Sequence, residues 1–495
     1  MIDAQIMPNF LLKRAFLTPE RPAIYFSGVT YSFKEVYDRA YTIAGQMEAV
    51  GLKKGDYAGV LLRNHVDTVF ILLALQLIDI KAVILNNRLT AEELIFQMND
   101  SQSPFLLTES VFDDVSQKIS DSLTVSSILK EDLFKCAHTE PAVVEEISLD
   151  EVCTVMYTSG TTGNPKGVLQ SYGNHWWSAV GSALNLGLNE QDRWLCAVPI
   201  FHISGYSILM RSIIYGMKMV LFESFHESKA IEAISSEKVT IMSVVSTMLS
   251  RIVVKLQDEM LPSYFRCMLL GGGPAARFLL EACKEKDIPV YQTYGMTETS
   301  SQIVTLAPEY SFSKLGSAGK PLFPSQLKIV GASGEKTDAG EAGEILVKGP
   351  NVTKGYLNRD DENSKGTKDG WLSTGDIGYL DQEGFLYVLD RRSDLIISGG
   401  ENIYPAEIEG VLVSHPSIND AGVIGMKDDV WGEVPIAFIA GEENLDTEEV
   451  TQFCLGKLAK YKVPKKILTI SEIPRNASKK ILRRKLRELL EESGK

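Results

Sequence analysis

The chain of 495 residues is long enough for about three domains, and with 44% hydrophobic and 23% charged residues it is neither a disordered polyelectrolyte nor a small disulfide-stapled scaffold. A net charge of −14 argues against nucleic acid or an anionic membrane surface as the main partner. The six cysteines stand singly, with no CxxC pair and no histidines at zinc-finger spacing, so neither a disulfide framework nor a structural zinc is expected.

Along the chain, the opening MIDAQIMPNFLLKR carries Asp3 where a secretory leader has positive charge, and the expected location is cytoplasmic. Ser32 with Glu35 and Thr90 with Glu93 have capping-box spacing and mark two helix starts. Between them the longest apolar stretch, Val69–Ile78, contains Gln76 and falls short of the about 20 residues that span a bilayer; it reads as a buried helix. Strands are expected at Val152–Tyr157, Thr240–Val245, Arg266–Leu270, Pro289–Tyr294 and Glu344–Lys348. Their alternation with helix-like segments implies βαβ units and parallel sheets, in which the loops after the strands' carboxyl ends form the binding crevice. Gly378–Asp390 reads as a hairpin around Asp381–Gly384, and the charged break after it puts a hinge at Asp394, between domains 1–393 and 394–495. The segment Lys457–Arg487 holds twelve lysines and arginines against one acid, Glu472. That basic end offers a rival reading, a nucleic-acid-binding module, whose binding would weaken steeply with salt.

The strongest chemical signal is the decapeptide Thr158, Ser159, Gly160, Thr161, Thr162, Gly163, Asn164, Pro165, Lys166, Gly167, which follows the apolar run VCTVMY. Glycines admit an anion close to the backbone, hydroxyls and amides donate hydrogen bonds, and lysine adds a compact cation, a set suited to polyphosphate or, more blandly, to a solvated turn. It is not a Walker A loop, because Pro165 stands where that motif needs glycine. Tyr294-Gly-Met-Thr-Glu298 follows a strand and sets a hydroxyl beside a carboxylate, fit for a phosphate oxygen and Mg²⁺, unless Thr297 merely caps a helix. Asp376 reads as a loop carboxylate able to accept two ribose hydroxyls, or as a solvated turn residue.

The decapeptide resembles the signature loop of the adenylate-forming superfamily, which includes acyl-CoA synthetases, luciferases and peptide-synthetase adenylation domains. Further segments similar to that family follow in order across nearly the whole chain: PIFHISG at Pro199–Gly205, GGGPA at Gly271–Ala275, YGMTE, STGD at Ser373–Asp376, DRRSDLIISGGENIYPAEIE from Asp390, and PRNASKK at Pro474–Lys480. Within the superfamily the wording is most similar to bacterial ligases that act on an aromatic dicarboxylic acid, with other aryl- or acyl-CoA synthetases as the alternative.

The resemblance implies an α/β fold: a large N-terminal domain of parallel-rich βα sheets with a β-barrel-like subdomain, and a small mobile α+β C-terminal domain. It implies a ligase that joins a carboxylate to ATP as acyl-AMP and then to the thiol of CoA, with Mg²⁺. By the same resemblance Thr297 contacts the α-phosphate and Glu298 the metal, Tyr294 with Gly271, Gly272 and Gly273 lines the adenine slot, and Asp376 with Arg391 holds the ribose. Lys480 would stabilise the charge that accumulates on phosphorus; Lys479 stands where the family has glycine, and the Ile481-Leu-Arg483 that follows matches the family register with Lys480 as the catalytic member. Gly399 and Gly400 would line the thiol tunnel after rotation about Asp394. A substrate carboxylate is already ionised near neutral pH and needs no base, so His202 is assigned to substrate placement with Ser204, Gly205 and Ser207. Arg63 and Arg211 are the cations available to a second carboxylate.

Overall fold

Two parallel-rich sheets share the largest hydrophobic core. The computed structural model describes residues 5–158, 165–273, 275–331, 333–360, 363, 367–391, 394, 396–398, 401–428, 431–441, 445–458, 460–475 and 481–493. The chain falls into two compact units, Met1–Leu327 with Val347–Leu372 and Lys328–Leu346 with Ser373–Lys495. The boundary expected at 393/394 lies within the second unit, between the strands Leu386–Arg391 and Ile396–Ser398.

In the first unit a six-stranded sheet runs in the order Lys166–Ser171, Val152–Thr158, Lys81–Ile84, Tyr57–Leu61, Phe105–Thr108 and Ser126–Leu129. It is parallel except for its first edge strand. A nine-stranded sheet has six parallel strands at its centre, including Ile241–Val245, Cys267–Gly271 and Val290–Met296, and antiparallel strands at both edges. The apolar helix spans Val66–Leu77, with only Asp67 left partly exposed, and sits in the core that both sheets share. Both expected capping boxes form, at Ser32 and Thr90, each pairing a hydroxyl with the N3 amide and a carboxylate with the cap amide. All five expected strands are present within two residues at either end.

A curled antiparallel sheet follows, from Gln326–Val330, Gly343–Lys348, Trp371–Leu380 and Leu386–Arg391, with the expected turn at Asp381–Gly384. One expectation fails here, because Asp376 is in the strand Trp371–Leu380 and not in a loop. The neighbouring Thr374 hydroxyl donates to the Ile345 carbonyl at 2.7 Å and accepts from the Asp376 amide at 3.1 Å, which ties this polar stretch into the sheet. The chain ends in an α+β unit built on Ile418–Asp428 paired with Gly432–Gly441, whose helices Pro405–Val413, Thr447–Leu455 and Arg483–Ser493 cover its core. Its basic residues face acids: Lys462 meets Glu407 at 2.7 Å, Arg475 meets Asp420 at 2.7 Å, Lys465 meets Asp428, and Arg483 meets Glu409 at 2.8 Å. Part of the positive charge of that segment is therefore matched by acids of its own unit.

At the carboxyl ends of Tyr57–Leu61 and Phe105–Thr108 an ionic network braces the crevice side of the six-stranded sheet. The buried Glu109 carboxylate accepts from the Arg63 amide at 2.7 Å and the Arg63 guanidinium at 3.0 Å, and lies 3.3 Å from Lys130. Lys130 also reaches Asp67 at 3.1 Å, and Asp67 meets His65 at 3.0 Å. Burial pushes both carboxyls up, but hydrogen bonds from Arg63 to Glu109, and from His65 and Lys130 to Asp67, together with the nearby charges, outweigh it and hold both below the ordinary carboxylate range. Groups with lowered folded pKa values stabilise the fold fully above the unfolded value of about 4, and that contribution is lost as the pH falls through the folded values. Glu109→Gln is expected to cost about 2 kcal/mol at pH 7 and to flatten the acid limb of the stability profile. Melts between pH 3 and 7 check this, and a variant whose profile runs parallel to that of the wild type throughout would contradict it.

Candidate active site

The carboxyl ends of neighbouring strands gather the polar residues of the first unit. Val152–Thr158 and Lys166–Ser171 pair antiparallel with Thr158 opposite Lys166, so both described ends of the signature decapeptide meet at one point. Ser159, Gly160, Thr161, Thr162 and Gly163 lie outside the described residues. In the other sheet, Cys267–Gly271 runs parallel to Val290–Met296, which brings Gly271–Gly273 and Tyr294 to the same edge. Gly272 and Gly273 have φ of 87° and 152°, conformations that side chains rarely adopt, and a Cβ on Gly273 would meet nothing within 4 Å. That exposed backbone leaves room for a flat ring beside the half-buried Tyr294.

Thr297–Thr299 forms a single 3₁₀ turn. Its cap differs from the bland expectation: the Met296 amide donates to the Thr299 hydroxyl at 2.9 Å, so Thr297 is not the capping residue. Four successive carbonyls of this segment accept hydrogen bonds from four different residues. Gln170 Nε2 donates to Thr297 at 3.0 Å, the Thr353 amide to Glu298 at 2.7 Å, Asn351 Nδ2 to Thr299 at 3.0 Å, and Ser178 Oγ to Ser300 at 2.6 Å. Tyr356 adds a contact to the side chain, its hydroxyl donating to Glu298 Oε1 at 3.1 Å, while Lys166 Nζ lies 5.5 Å from the Tyr356 ring centroid. Lys166, Tyr356 and Glu298 thus stand in one row. The Glu298 carboxylate is a hard oxygen donor, partly exposed, with one oxygen oriented by the neutral Tyr356 hydroxyl, and it fits a Mg²⁺ ligand. Tyr356, Asn351 and Thr353 escaped the sequence reading, and the signal that could have found them is the segment GPNVTKGY, whose glycines and asparagine suit a loop laid against another backbone.

The candidate substrate residues share one helix. His202 is the N-cap of Ile203–Tyr215, half-buried, with its ring 4.7 Å from that of Phe201. Ser204 is exposed in the first turn, whereas Ser207 is buried and donates to the Ser204 carbonyl at 3.2 Å and to Ser301 Oγ at 3.3 Å. Gly205 is a packing position: an added Cβ would lie 2.3 Å from the Pro199 carbonyl oxygen. One turn beyond Ser207, on the same helix face, Arg211 is 1% exposed with its guanidinium 5.1 Å from the Trp194 ring centroid. Its Nε and Nη2 find no hydrogen-bond partner among the described residues, nor do Gln302 Oε1 and Thr305 Oγ1 on the strand Ser301–Leu306. Arg63, the other cation considered, is committed to Glu109.

In the second unit Asp376 is buried on its strand, and its cross-strand partner is Arg391, whose side chain lies outside the description. Asp394 accepts from Arg483 at 3.4 Å. Gly399, Gly400, Lys479 and Lys480 lie outside the described residues.

A glycine-lined edge, a lysine-bearing strand pair and an oriented carboxylate at the carboxyl ends of parallel strands define a nucleotide-binding α/β enzyme. The chain belongs to the AMP-binding enzyme family: the family model described as "AMP-binding enzyme" matches residues 11–357, and that described as "AMP-binding enzyme C-terminal domain" matches residues 407–480. It is 53% identical over 486 residues to 2-succinylbenzoate–CoA ligase of Geobacillus sp. (strain WCH70), covering 98% of each chain. Among solved structures it is similar to o-succinylbenzoate CoA synthetase from Bacillus subtilis in complex with the acyl-adenylate intermediate OSB-AMP, with a TM-score of 0.94, 50% identity, and coverage of 97% of this chain and 98% of that one. The same Bacillus subtilis enzyme in complex with ATP and magnesium ion matches with a TM-score of 0.94 and 50% identity, covering 97% of this chain and 100% of that one.

The close approach at Gly205 gives a direct test of the helix placement. Gly205→Ala should push the start of Ile203–Tyr215 away from Pro199 and destabilise the protein by about 1–3 kcal/mol. Thermal melts and the KM for the acid substrate should move together, and an unchanged melting temperature would contradict the packing role.

Proposed function

We infer that this enzyme couples 2-succinylbenzoate to CoA in two steps, in the service of menaquinone biosynthesis. The aliphatic carboxylate, ionised near neutral pH, attacks the α-phosphorus of ATP, forming the acyl-phosphate bond and expelling pyrophosphate. The sulfur of CoA then attacks the acyl carbonyl, and the carbon–oxygen bond to AMP breaks. Thr297 donates to an α-phosphate oxygen, and Glu298 holds the Mg²⁺, which neutralises phosphate charge. Tyr294 and Gly271–Gly273 receive the adenine, Asp376 with Arg391 the ribose, and the Thr158–Lys166 loop the polyphosphate. Lys480 supplies the cation that favours the pentavalent transition state over the ground state. Asp394 is the hinge between domains 1–393 and 394–495, about which the C-terminal domain turns to bring Gly399 and Gly400 to the thiol. All six cysteines are free and five are buried, which supports a reducing compartment, the cytoplasm; among the described residues no helix is long and apolar enough to cross a membrane.

The observation that carries the choice of acid is Arg211. A buried guanidinium with two nitrogens, Nε and Nη2, unpartnered among the described residues is costly unless an anion completes it. The substrate's second, aromatic carboxylate is such an anion, and Arg211 can bind it with Ser207 one turn away and His202 at the entrance. A site built this way rejects monocarboxylates, because its polar groups would stay unpaired.

The test is a comparison of kcat/KM for 2-succinylbenzoate, benzoate, 4-phenylbutyrate and octanoate in the wild type and in Arg211→Met. The wild type is expected to prefer 2-succinylbenzoate by up to roughly 10⁴-fold. Arg211→Met should lose about 10²-fold or more on that substrate, in line with removal of a buried charge partner, and change little on 4-phenylbutyrate. Equal or better wild-type activity on a monocarboxylate would instead make this another aryl- or acyl-CoA synthetase.

A further inference from the structure

Behind the Thr297 turn a chain of hydrogen bonds runs into the core through side chains to which the mechanism gives no role. Gln170 and Thr154 are cross-strand partners at the base of the decapeptide strands, and both are fully buried. Gln170 Nε2 donates to the Thr297 carbonyl at 3.0 Å, Thr154 Oγ1 donates to Gln170 Oε1 at 3.0 Å, and His175 Nε2 lies 3.0 Å from Thr154 Oγ1. His175, on the helix Tyr172–Leu186, is 2% exposed and edge-on to Tyr206 at 5.1 Å.

The direction of every bond in this chain follows from its outer end. A carbonyl only accepts, so the Thr297 carbonyl forces the Gln170 amide to present nitrogen outward and oxygen inward. The inward oxygen takes the single proton of Thr154, and Thr154 must then accept from His175. His175 is therefore the tautomer with its proton on Nε2 and a bare Nδ1, and Nδ1 has no partner among the described residues. Burial, which pushes its pKa down to about 3, agrees with a neutral ring.

We propose that Gln170, oriented by Thr154 and His175, is a positioning residue that fixes Thr297 for its contact with the α-phosphate. The inference rests on the reading of Thr297 as a phosphate ligand, and a double-mutant cycle separates the two. Gln170→Met should lower kcat for ATP–pyrophosphate exchange by roughly tenfold with KM for ATP within about twofold, because misplacement by a fraction of an ångström costs rate more than binding. In a Thr297→Ala background the same change should cost less than about twofold, since the group it positions is gone. His175→Gln keeps an N–H toward Thr154 and should stay near wild type, whereas His175→Leu should repeat the Gln170→Met loss. Gln170→Glu, of the same shape, replaces Gln170→Met if the latter does not fold. A loss of full size in both backgrounds, no loss from the Gln170 variant, or equal behaviour of the two His175 variants would overturn the positioning role. Full activity of Thr297→Ala would instead remove the reading beneath it.

Discussion

Four consecutive carbonyls, from Thr297 to Ser300, are each hydrogen-bonded by a different residue, the four donors coming from three segments of the first unit, and the rest of the site is arranged around that constraint. Each such bond contributes only about 1 kcal/mol net, but together they leave the turn no alternative geometry. Ser300 has φ of 51° and Ser301 of 106°, so the segment leaves the turn through backbone conformations that are sparsely populated and must be held by their surroundings. A hydroxyl and a carboxylate fixed in this way can meet a polyphosphate without reorganising at the moment of reaction, and that is the condition under which electrostatic stabilisation is most effective.

The same logic separates the two arginines at the crevice. Arg63 is half-exposed and satisfied by Glu109, so it braces the scaffold. Arg211 is buried, and its Nε and Nη2 have no hydrogen-bond partner among the described residues, a state that favours an anion beside it. The exposed Ser204, the buried Ser207 and Arg211 descend one helix face, giving a polar track from the crevice toward the core.

Much of this was legible in the sequence where a local rule decides the structure. Capping boxes at Ser32 and Thr90, strands ending at the decapeptide and at GGGPA, and the hairpin at Asp381–Gly384 each depend on neighbouring residues, and each is present. The apolar helix was legible because its length and composition leave it no surface to occupy. What escaped depends on residues far apart in sequence. Tyr356 reaches Glu298 across 58 positions and Asn351 reaches Thr299 across 52, and nothing local in GPNVTKGY says which turn it will cover. Asp376 looked like a loop residue because Ser373-Thr-Gly-Asp376 is a turn-like composition, and a bond from Thr374 to the neighbouring strand overrode that preference. Gly205, read from the sequence as a pocket residue, also lets the helix start approach Pro199 closely, a contact that nothing local announces. Gln170 belongs to no motif that would have singled it out, since its partner is the Thr297 carbonyl 127 residues away.

All of these features converge on one reaction, the joining of 2-succinylbenzoate to CoA through an adenylate. Mass spectrometry of the products from the wild-type protein with ATP, Mg²⁺, CoA and 2-succinylbenzoate tests it most directly. The expected products are 2-succinylbenzoyl-CoA, AMP and pyrophosphate in equal amounts, with 2-succinylbenzoyl-AMP accumulating when CoA is withheld. ADP and phosphate in place of AMP and pyrophosphate, or no thioester from this acid, would contradict it.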